Sequence, residues 1–465
     1  MKINIGSNEI VHFIGIGGIG MSGLAQIMNN MGFVIQGSDL TKNKSTDRLL
    51  KAGVKVYFGH HQKNLKKTTM VVTSSAIKNN NYELIAARKK KLPIFKRAEM
   101  LANIVALKKN IIVTGSHGKT TTTSLVANIL VEAGLDPTVI NGGIINSLKN
   151  NAQLGKGEWA VIEADESDGS FLKLPITYSI ITNVDKEHLD FYGSFEKLKK
   201  SFLTFIEKTP SFGKSLVCID DKNLKSLISK CKTRNFITYG FSKNANYQIV
   251  NVKKKIDYSI FDLKIKLSYH KFSSIKNIVV NLIGDHNIAN TSAAIAIALN
   301  LGIKVHKIKK ALKKFLGIQR RFTKIFSIKK REFYDDYAHH PTEIKAVINS
   351  AREVHAKRKI ICVFQPHRYS RLKLLKQEFA KSFKFVDVVV LCPVYSAGEK
   401  VDLNFNQQNF SQLIFKKSNV QVININNKDE LKKYFKKNLI NDELVICMGA
   451  GTISNWIREI GDELR

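Results

Sequence analysis

The chain has 465 residues, 44% of them hydrophobic, and it carries 74 Lys and Arg against 38 Asp and Glu, a formal net charge of +36. This length suits about three globular domains, and no apolar run approaches the about 20 residues that span a bilayer. The first nine residues show no hydrophobic signal region, and the five cysteines form no C-x-x-C pair, so we expect free thiols and a cytoplasmic protein.

The positive charge has two interpretations. One is a nucleic-acid binder, which would present basic residues interleaved with aromatic ones. The other is a general lysine bias, in which lysine fills solvent-exposed positions. Basic residues are spread along the whole chain, for example at 63–67, 253–255 and 432–437, without interleaved aromatics. We therefore favour the second interpretation and expect neither a nucleic-acid partner nor a membrane partner.

The N-terminal section begins with a strand-like run, residues 9–14, followed by a glycine-rich loop at residues 15–20 and an apolar helix. The loop fits G-x-G-x-x-G, and Asp39 follows the next strand-like run. This fingerprint is typical of dinucleotide sites. Because the loop recognises a pyrophosphate, other nucleoside diphosphates can bind in the same crevice.

The second section opens with a phosphate loop at residues 113–120. An apolar β-branched run leads into T-G-S-H-G-K-T and then into a helical segment. Backbone N–H groups at such a helix start bind phosphate oxygens, Lys119 adds a point charge, and the Thr120 hydroxyl is placed to ligate Mg²⁺. Val113 takes the position of the usual first glycine, so the loop is a shortened form. The pattern predicts a nucleoside triphosphate site.

Acidic residues follow two further strands of this section. Glu163 and Asp165 come where an apolar strand meets a loop, and His188 follows the next strand among carboxylates. Such residues can hold divalent cations. The aromatic stripe of the helix beginning at Ser194 indicates core packing. The lysine-rich stretch 244–276 is expected to form antiparallel strands outside the main sheet.

The third section alternates apolar strands, at residues 359–364, 386–392 and 443–448, with helices. Near-continuous apolar strands are typical of parallel sheets buried on both faces. D-D-Y-A-H-H-P-T-E follows one strand and Q-P-H-R-Y-S-R follows the next, so both loops should meet at one sheet edge. Arg368 and Arg371 could clamp a carboxylate there. The chain is therefore predicted to be α/β.

Taken together, these motifs resemble the Mur ligases. G-I-G-G-I-G-M-S-G, T-G-S-H-G-K-T-T-T, E-A-D-E-S-D, T-N-V-D-K-E-H-L-D, G-D-H-N-I-A-N, Q-R-R-F, D-D-Y-A-H-H-P-T-E, Q-P-H-R-Y-S-R and V-Y-x-A-G-E occur in the family's order from residue 10 to residue 451. The resemblance implies a Rossmann-like UDP-substrate domain (1–107), a central P-loop ATPase domain with a mainly parallel sheet (108–317) and a Rossmann-like amino-acid-binding domain (318–465).

The activity that the resemblance implies is ATP-dependent ligation in peptidoglycan precursor synthesis. The likeness is greatest to members that join L-alanine to the carboxylate of UDP-N-acetylmuramate through an acyl phosphate and a tetrahedral intermediate. It implies ATP, two Mg²⁺ ions, two small-molecule substrates and a monomer or homodimer. Ala338 stands where the family more often has glycine, which predicts that this position does not need a positive φ.

The resemblance also implies roles for individual residues. Catalytic roles fall on Lys119, Glu163, His188, His339 and Arg368, and metal binding on Thr120, Glu163 and His188. ATP binding falls on Gly115, Ser116, His117, Gly118, Lys119, Thr120, Thr121, Asn287, Asn290 and Arg320. UDP-substrate binding falls on Gly15, Gly17, Gly18, Ile19, Gly20, Asp39, Ser74 and Ser75. Amino-acid binding falls on Tyr337, His339, Arg368 and Arg371.

Three alternatives stay open from the residues alone. A nucleic-acid-stimulated P-loop ATPase would account for the charge. An NAD-dependent dehydrogenase would account for the glycine-rich loop and Asp39, although it leaves the phosphate loop unexplained. A sister ligase that attaches a tripeptide to the same nucleotide sugar is not excluded by any single physical feature.

Overall fold

Three β-sheets organise the computed structural model, which describes residues 9–74, 76–106, 108–146 and 150–464. Their strands are mostly parallel and alternate with helices, which confirms the predicted α/β class. The described residues form two compact units. One comprises those within 1–252, 260–281 and 287–316, and the other those within 253–259, 282–286 and 317–464.

The first sheet is wholly parallel, in the order β3-β2-β1-β4-β5. The order reverses beside the first strand, which is where open parallel sheets bind ligands. The strands and helices are β1 (Ile10–Ile14), α1 (Ile19–Asn30), β2 (Val34–Asp39), α2 (Lys44–Lys51), β3 (Lys55–Phe58), β4 (Met70–Thr73), α3 (Tyr82–Lys89), β5 (Ile94–Lys96) and α4 (Arg97–Val105), with a 3₁₀ helix at Gln62–Leu65.

The second sheet has ten strands in the order β15-β14-β13-β12-β11-β10-β6-β9-β7-β8, and its parallel centre carries the phosphate loop. The elements are β6 (Lys109–Thr114), α5 (Lys119–Glu132), β7 (Thr138–Ile145), β8 (Asn150–Gln153), β9 (Trp159–Glu163), β10 (Tyr178–Ile181), α6 (Leu189–Tyr192), α7 (Phe195–Glu207), β11 (Lys214–Cys218), α8 (Lys222–Ile228), β12 (Phe236–Gly240), β13 (Tyr247–Lys254), β14 (Ser259–Ile265), β15 (Ser274–Val280), α9 (Asp285–Asn300) and α10 (Val305–Lys313), with a 3₁₀ helix at Ser170–Lys173.

The expectation that residues 244–276 leave the main sheet is wrong. Strands β13, β14 and β15 extend that sheet at its edge, and β13 pairs with β12 in parallel. The burial pattern of β14 alternates, with Ser259, Phe261, Leu263 and Ile265 on the buried face and Ile260, Asp262 and Lys264 on the other, as in a strand that belongs to a sheet with one solvated face. The predicted core stripe of α7 is confirmed, since Leu198, Phe202 and Phe205 are fully buried.

The third sheet has the order β16-β17-β21-β18-β19-β20, with only the β16–β17 pair antiparallel. Its central strand β21 is buried along its whole length, as the apolar runs predict. The elements are β16 (Thr323–Ile328), β17 (Arg331–Asp336), α11 (Pro341–Val354), β18 (Ile360–Phe364), α12 (Tyr369–Leu374), α13 (Lys376–Ala380), β19 (Val388–Leu391), α14 (Gln407–Ser418), β20 (Gln421–Asn424), α15 (Lys428–Asn438), β21 (Leu444–Met448) and α16 (Ile453–Leu464).

Two further expectations concern thiols and membranes. All five cysteines are free, and four of them are buried, as predicted. Among the described residues, no helix is both long and apolar enough to cross a bilayer.

Candidate active site

The phosphate loop joins β6 to α5, as the sequence predicts. Lys119 lies at the first position of α5 and its ammonium makes three hydrogen bonds, to the carbonyl oxygens of Gly115 (2.6 Å) and Ser116 (3.2 Å) and to the carboxylate of Glu166 (2.8 Å). Burial by itself lowers the pKa of Lys119, but the carboxylates of Glu166 and Asp165 outweigh it and raise that pKa. The lysine is therefore a fixed positive charge at the start of the helix.

The end of β10 holds the backbone of the phosphate loop. The His117 N–H donates to the side-chain oxygen of Asn183 at 2.8 Å, and the His117 carbonyl accepts from Thr182 Oγ1 at 2.6 Å. The His117 ring lies 3.1 Å from a carboxylate oxygen of Asp185. The loop shape is thus set before any phosphate binds, which reduces the ordering cost of binding.

Thr120 and Glu163 bring two side-chain oxygens together at the phosphate loop. The Thr120 hydroxyl donates to Glu163 Oε1 at 3.2 Å, and the Gly142 N–H donates to Glu163 Oε2 at 2.6 Å. Hydroxyl and carboxylate oxygens are the ligand types that Mg²⁺ prefers. The donor chemistry of this pair therefore fits a magnesium ion.

A second group with cation-binding chemistry surrounds His188. Ligand atoms of Asp165, Glu166 and His188 all lie within 4.8 Å of one another. Glu166 is fully buried, and its Oε1 has no hydrogen-bond partner among the described residues. Oε1 lies 3.7 Å from His188 Nε2. Our residue-by-residue assignment from the sequence missed Glu166, although its position within E-A-D-E-S-D could have indicated it.

Asn290 packs directly against the phosphate loop. A Cβ added at Gly118, whose φ is +82°, would lie 2.9 Å from the Asn290 Oδ1 atom. Asn290 is buried in α9, whereas Asn287, in the preceding turn, is partly exposed. Glycine at position 118 is required both by the left-handed φ and by this close approach. Thr121, the remaining residue predicted to bind ATP in this loop, is buried in the first turn of α5.

The glycine-rich loop (residues 15–20) connects β1 to α1. Gly15 has a φ of +81° and lies next to Ser74, because a Cβ at Gly15 would be 3.7 Å from the Ser74 Cβ. The Gly17 N–H donates to the carboxylate of Asp39 at 2.8 Å. Asp39 thus contacts the loop itself. Gly18 and Ile19 lie at the start of α1, and Ser75 lies outside the described residues.

Arg97 is a second residue that our assignment missed. A Cβ at Gly20 would lie 3.3 Å from an Arg97 guanidinium nitrogen, so the side chain lies against the start of α1. It makes no hydrogen bond or ion pair with another described residue of the chain. A guanidinium beside backbone N–H groups suits an anionic group. No motif at Arg97 distinguishes it from the many other basic residues of this chain.

Tyr337 links two of the predicted residues at the end of β17. The guanidinium carbon of Arg320 lies 4.7 Å from the centre of the Tyr337 ring, and the His339 ring meets that ring edge-on at 5.1 Å. Burial lowers the pKa of His339 to about 3, so its imidazole is neutral near pH 7. Ala338 is not among the described residues with a positive φ, as the sequence predicts.

Arg368 and Arg371 lie at the end of β18. The Arg371 guanidinium contacts His367 Nδ1 at 3.3 Å, and the His367 ring is 5.6 Å from the His339 ring. Arg368 is 44% exposed and lies 3.6 Å from the carboxylate of Glu399. The two loops therefore meet at one sheet edge, as predicted. They bring the guanidinium groups of Arg368 and Arg371 close to the imidazole rings of His339 and His367.

Three of the predicted site residues have unusual backbone conformations. Among the eleven non-glycine described residues with positive φ are His188 (+56°), Arg320 (+60°) and Arg368 (+70°). Such conformations are costly for residues with a Cβ, and they cluster at functional sites. They are therefore an observation independent of motif similarity that points to these loops.

Comparison with known proteins supplies the family. The models described as "Mur ligase family, catalytic domain", "Mur ligase middle domain" and "Mur ligase, glutamate ligase domain" match residues 10–109, 113–298 and 320–451. The UDP-N-acetylmuramate–L-alanine ligase of Pelagibacter ubique (strain HTCC1062) is 55% identical over 460 residues, 99% of each chain. That of Parvibaculum lavamentivorans is 43% identical, covering 98% of this chain and 92% of the relative.

A solved structure agrees with these relatives. The UDP-N-acetylmuramate–alanine ligase MurC of Thermotoga maritima has a TM-score of 0.82 at 28% identity, with 98% of each chain covered. The fold is therefore shared with that enzyme over 98% of each chain.

Proposed function

The chain belongs to the Mur ligase family, and we propose that it joins L-alanine to the carboxylate of UDP-N-acetylmuramate with conversion of ATP to ADP and phosphate. The 55% identity to an alanine ligase over 99% of both chains carries the proposal. The phosphate loop, with Lys119 and the Thr120–Glu163 pair, supports the ATP-dependent part.

The first step activates the sugar carboxylate. A carboxylate oxygen attacks the γ-phosphorus of ATP, the bond to the bridging oxygen breaks, and ADP leaves. Lys119 offsets the repulsion between the anionic nucleophile and the γ-phosphoryl group. Thr120, Glu163 and His188 would hold Mg²⁺, which when bound neutralises phosphate charge and orients the oxygens.

The second step forms the amide bond. The neutral amine of L-alanine attacks the acyl carbon, the tetrahedral intermediate loses phosphate, and the amine proton is released. Arg368 and Arg371 are suited to bind the alanine carboxylate because guanidinium groups pair with carboxylates in a bidentate geometry. The neutral imidazole of His339 and the Tyr337 hydroxyl can take part in orienting the amine.

The nucleotide sites follow from the same proposal. The amide groups of Gly15, Gly17, Gly18, Ile19 and Gly20, with Asp39 and Ser74 nearby, would bind the UDP moiety. The role predicted for Ser75 falls outside the described residues. Asn287, Asn290 and Arg320 would contact ATP, and Ser116, His117 and Thr121 complete its phosphate site. The domain limits 107/108 and 317/318 and the monomer or homodimer remain predictions.

The direct test is phosphate release from Mg·ATP. We expect release only when UDP-N-acetylmuramate and L-alanine are both present, together with a UDP-linked alanyl product. Replacement of L-alanine by a tripeptide tests the sister ligase, and addition of DNA or RNA tests the nucleic-acid-stimulated ATPase. Release that depends on either of these instead of on L-alanine would contradict the proposed function.

A further inference from the structure

The hairpin formed by β7 and β8 contacts the metal-binding carboxylate at one end. Glu163 Oε2 accepts a 2.6 Å hydrogen bond from the backbone N–H of Gly142 in β7. The adjacent Asn141 is buried and donates to Ser124 Oγ of α5 at 2.9 Å. Ser124 in turn donates to the carbonyl oxygen of Thr120 at 2.8 Å. Strand β7 therefore contacts the Glu163 carboxylate directly and the backbone of the α5 turn that begins with Thr120 through Ser124.

The other strand of the same hairpin contacts the glycine-rich loop. Asn151 in β8 is buried, and its amide donates to the carbonyl oxygen of Ile19, the first residue of α1, at 2.9 Å. Asn150 donates to the side chain of Gln26 in α1 at 3.1 Å. Arg48 of α2 donates to the side-chain oxygens of Asn150 (3.1 Å) and Asn151 (3.4 Å).

Helix α1 and strand β8 also pack closely against each other at Gly23. A Cβ added at Gly23 in α1 would lie 3.0 Å from the Cβ of Ala152 and 3.1 Å from the Asn151 amide nitrogen. No larger residue fits at Gly23 unless β8 moves. The start of α1, which would bind the pyrophosphate, is therefore in direct contact with β8. Strand β8 pairs with β7, and β7 contacts Glu163.

We propose that the β7–β8 hairpin couples the UDP-sugar site to the metal-binding carboxylate Glu163, with Asn151 as the positioning residue. This inference rests on the proposed function, because it requires a UDP ligand on the glycine-rich loop and Mg·ATP at the phosphate loop. Asn151 touches neither ligand and acts through the Ile19 carbonyl on one side and through β7 and Gly142 on the other.

The coupling has a simple physical origin. An anion bound to the N–H groups at the start of α1 orders the first helical turn, which contains the Ile19 carbonyl. Ordering that carbonyl orders the Asn151 amide and with it β8. The next residue of β8, Ala152, pairs with Ile140 of β7, two residues before Gly142. Glu163 then needs less ordering when Mg·ATP binds, so the second ligand binds more tightly.

The experiment measures linkage between two ligands. Binding of Mg²⁺ with a non-hydrolysable ATP analogue to the full chain is measured by calorimetry, with and without saturating UDP-N-acetylmuramate. We expect the sugar nucleotide to tighten analogue binding about ten-fold in the wild type. In Asn151→Ala this factor should fall to about one, while the affinity for each ligand alone changes by less than about two-fold.

Two further variants separate coupling from folding. Gly23→Ala removes no hydrogen-bonding group and should also abolish the linkage by moving β8 away from α1. Gln153→Ala, in the same strand, is the matched control, because the Gln153 side chain makes no hydrogen bond with other described residues, and it should keep the wild-type factor.

Three results would overturn the inference. The first is a wild type that makes the alanyl product but binds the ATP analogue equally well with and without UDP-N-acetylmuramate. The second is an Asn151→Ala variant in which the sugar nucleotide still tightens analogue binding as much as in the wild type. The third is an Asn151→Ala variant whose affinities for the two ligands, each measured alone, are weakened equally. Failure of the wild type to make the UDP-linked alanyl product would contradict the proposed function itself.

Discussion

The ammonium of Lys119 lies 2.8 Å from a carboxylate oxygen of Glu166, and the Glu166 side chain is completely buried. Two loop carbonyls accept the remaining protons of the ammonium. The lysine is thus held by an ion pair and by two hydrogen bonds to loop carbonyls. A γ-phosphate that reaches it must compete with these three acceptors.

Substitutions at Lys119 and Glu166 should have non-additive effects on the free energy of unfolding. Glu166→Gln leaves the Lys119 charge buried without its counter-charge, and loss of one partner of such a pair costs about 3 kcal/mol or more. Lys119→Met should also be destabilising, because it leaves the buried Glu166 carboxyl without its cationic hydrogen-bond partner. The double variant should be less destabilised than the sum of the two by about 1–3 kcal/mol, measured by urea unfolding. Simple additivity would contradict the ion pair.

Lys119→Ala should abolish turnover and spare binding of the UDP-sugar. The lysine lies at the phosphate loop, whereas the glycine-rich loop belongs to a different sheet. Loss of a charge that stabilises the transition state lowers kcat by about 10²–10³-fold. Phosphate release measures the first effect, and calorimetry with UDP-N-acetylmuramate measures the second. If both fall equally, the assignment of two separate sites is wrong.

Motif order and hydrophobic pattern predict much of this molecule, and contacts between distant residues account for what they miss. The strand–loop–helix units around Lys119 and Gly15 were predictable because glycine spacing and apolar runs are local signals. Arg97 was not singled out, since a basic residue outside any motif gains meaning only from what faces it. Glu166 was also missed, although it stands within the E-A-D-E-S-D motif. The strands β13–β15 were misjudged because polar and charged residues, among them Lys253, Lys264 and Lys276, alternate with the buried residues of each strand.

Gly142→Ala should weaken magnesium-dependent activity. A Cβ at Gly142 would lie 2.8 Å from the carboxyl carbon of Glu163 and 2.9 Å from its Oε2 atom, so the carboxylate must move away from Thr120. We expect kcat/KM to fall about ten-fold or more at low Mg²⁺ and to recover partly as Mg²⁺ is raised, because ligand geometry limits Mg²⁺ affinity. The measurement is phosphate release over a Mg²⁺ titration.

The control for this variant is Gly134→Ala. Gly134 has a φ of +82° but no atom within 4 Å of an added Cβ, so the substitution strains the backbone without touching Glu163. It should lower stability by about 1 kcal/mol and leave the Mg²⁺ dependence unchanged. An equal Mg²⁺ shift in both variants would mean that general destabilisation, not the carboxylate, is responsible.

His339 should make the stability of the protein fall as the medium becomes acidic. Burial lowers the pKa of its imidazole from the ordinary 6.5 to about 3, and its side chain is only 17% exposed. Between these two pKa values the unfolded chain binds the proton and the folded chain does not, so the stabilising contribution is complete above pH 6.5 and is lost as the pH falls towards 3. Burial also lowers the pKa of His367 to about 4, which acts in the same direction.

The variant His339→Gln isolates this contribution. Because one pKa unit corresponds to about 1.4 kcal/mol, the wild type should lose about 2 kcal/mol through His339 between pH 7.5 and pH 5.0, and the variant should lose that much less. Urea midpoints at the two pH values give the comparison. The same substitution at exposed His306 is the control and should leave the pH dependence unchanged. If the urea midpoint of His339→Gln changes between the two pH values as much as that of the wild type, His339 binds a proton as readily in the folded protein as in the unfolded chain. The imidazole proposed to orient the alanine amine would then be protonated at mildly acidic pH.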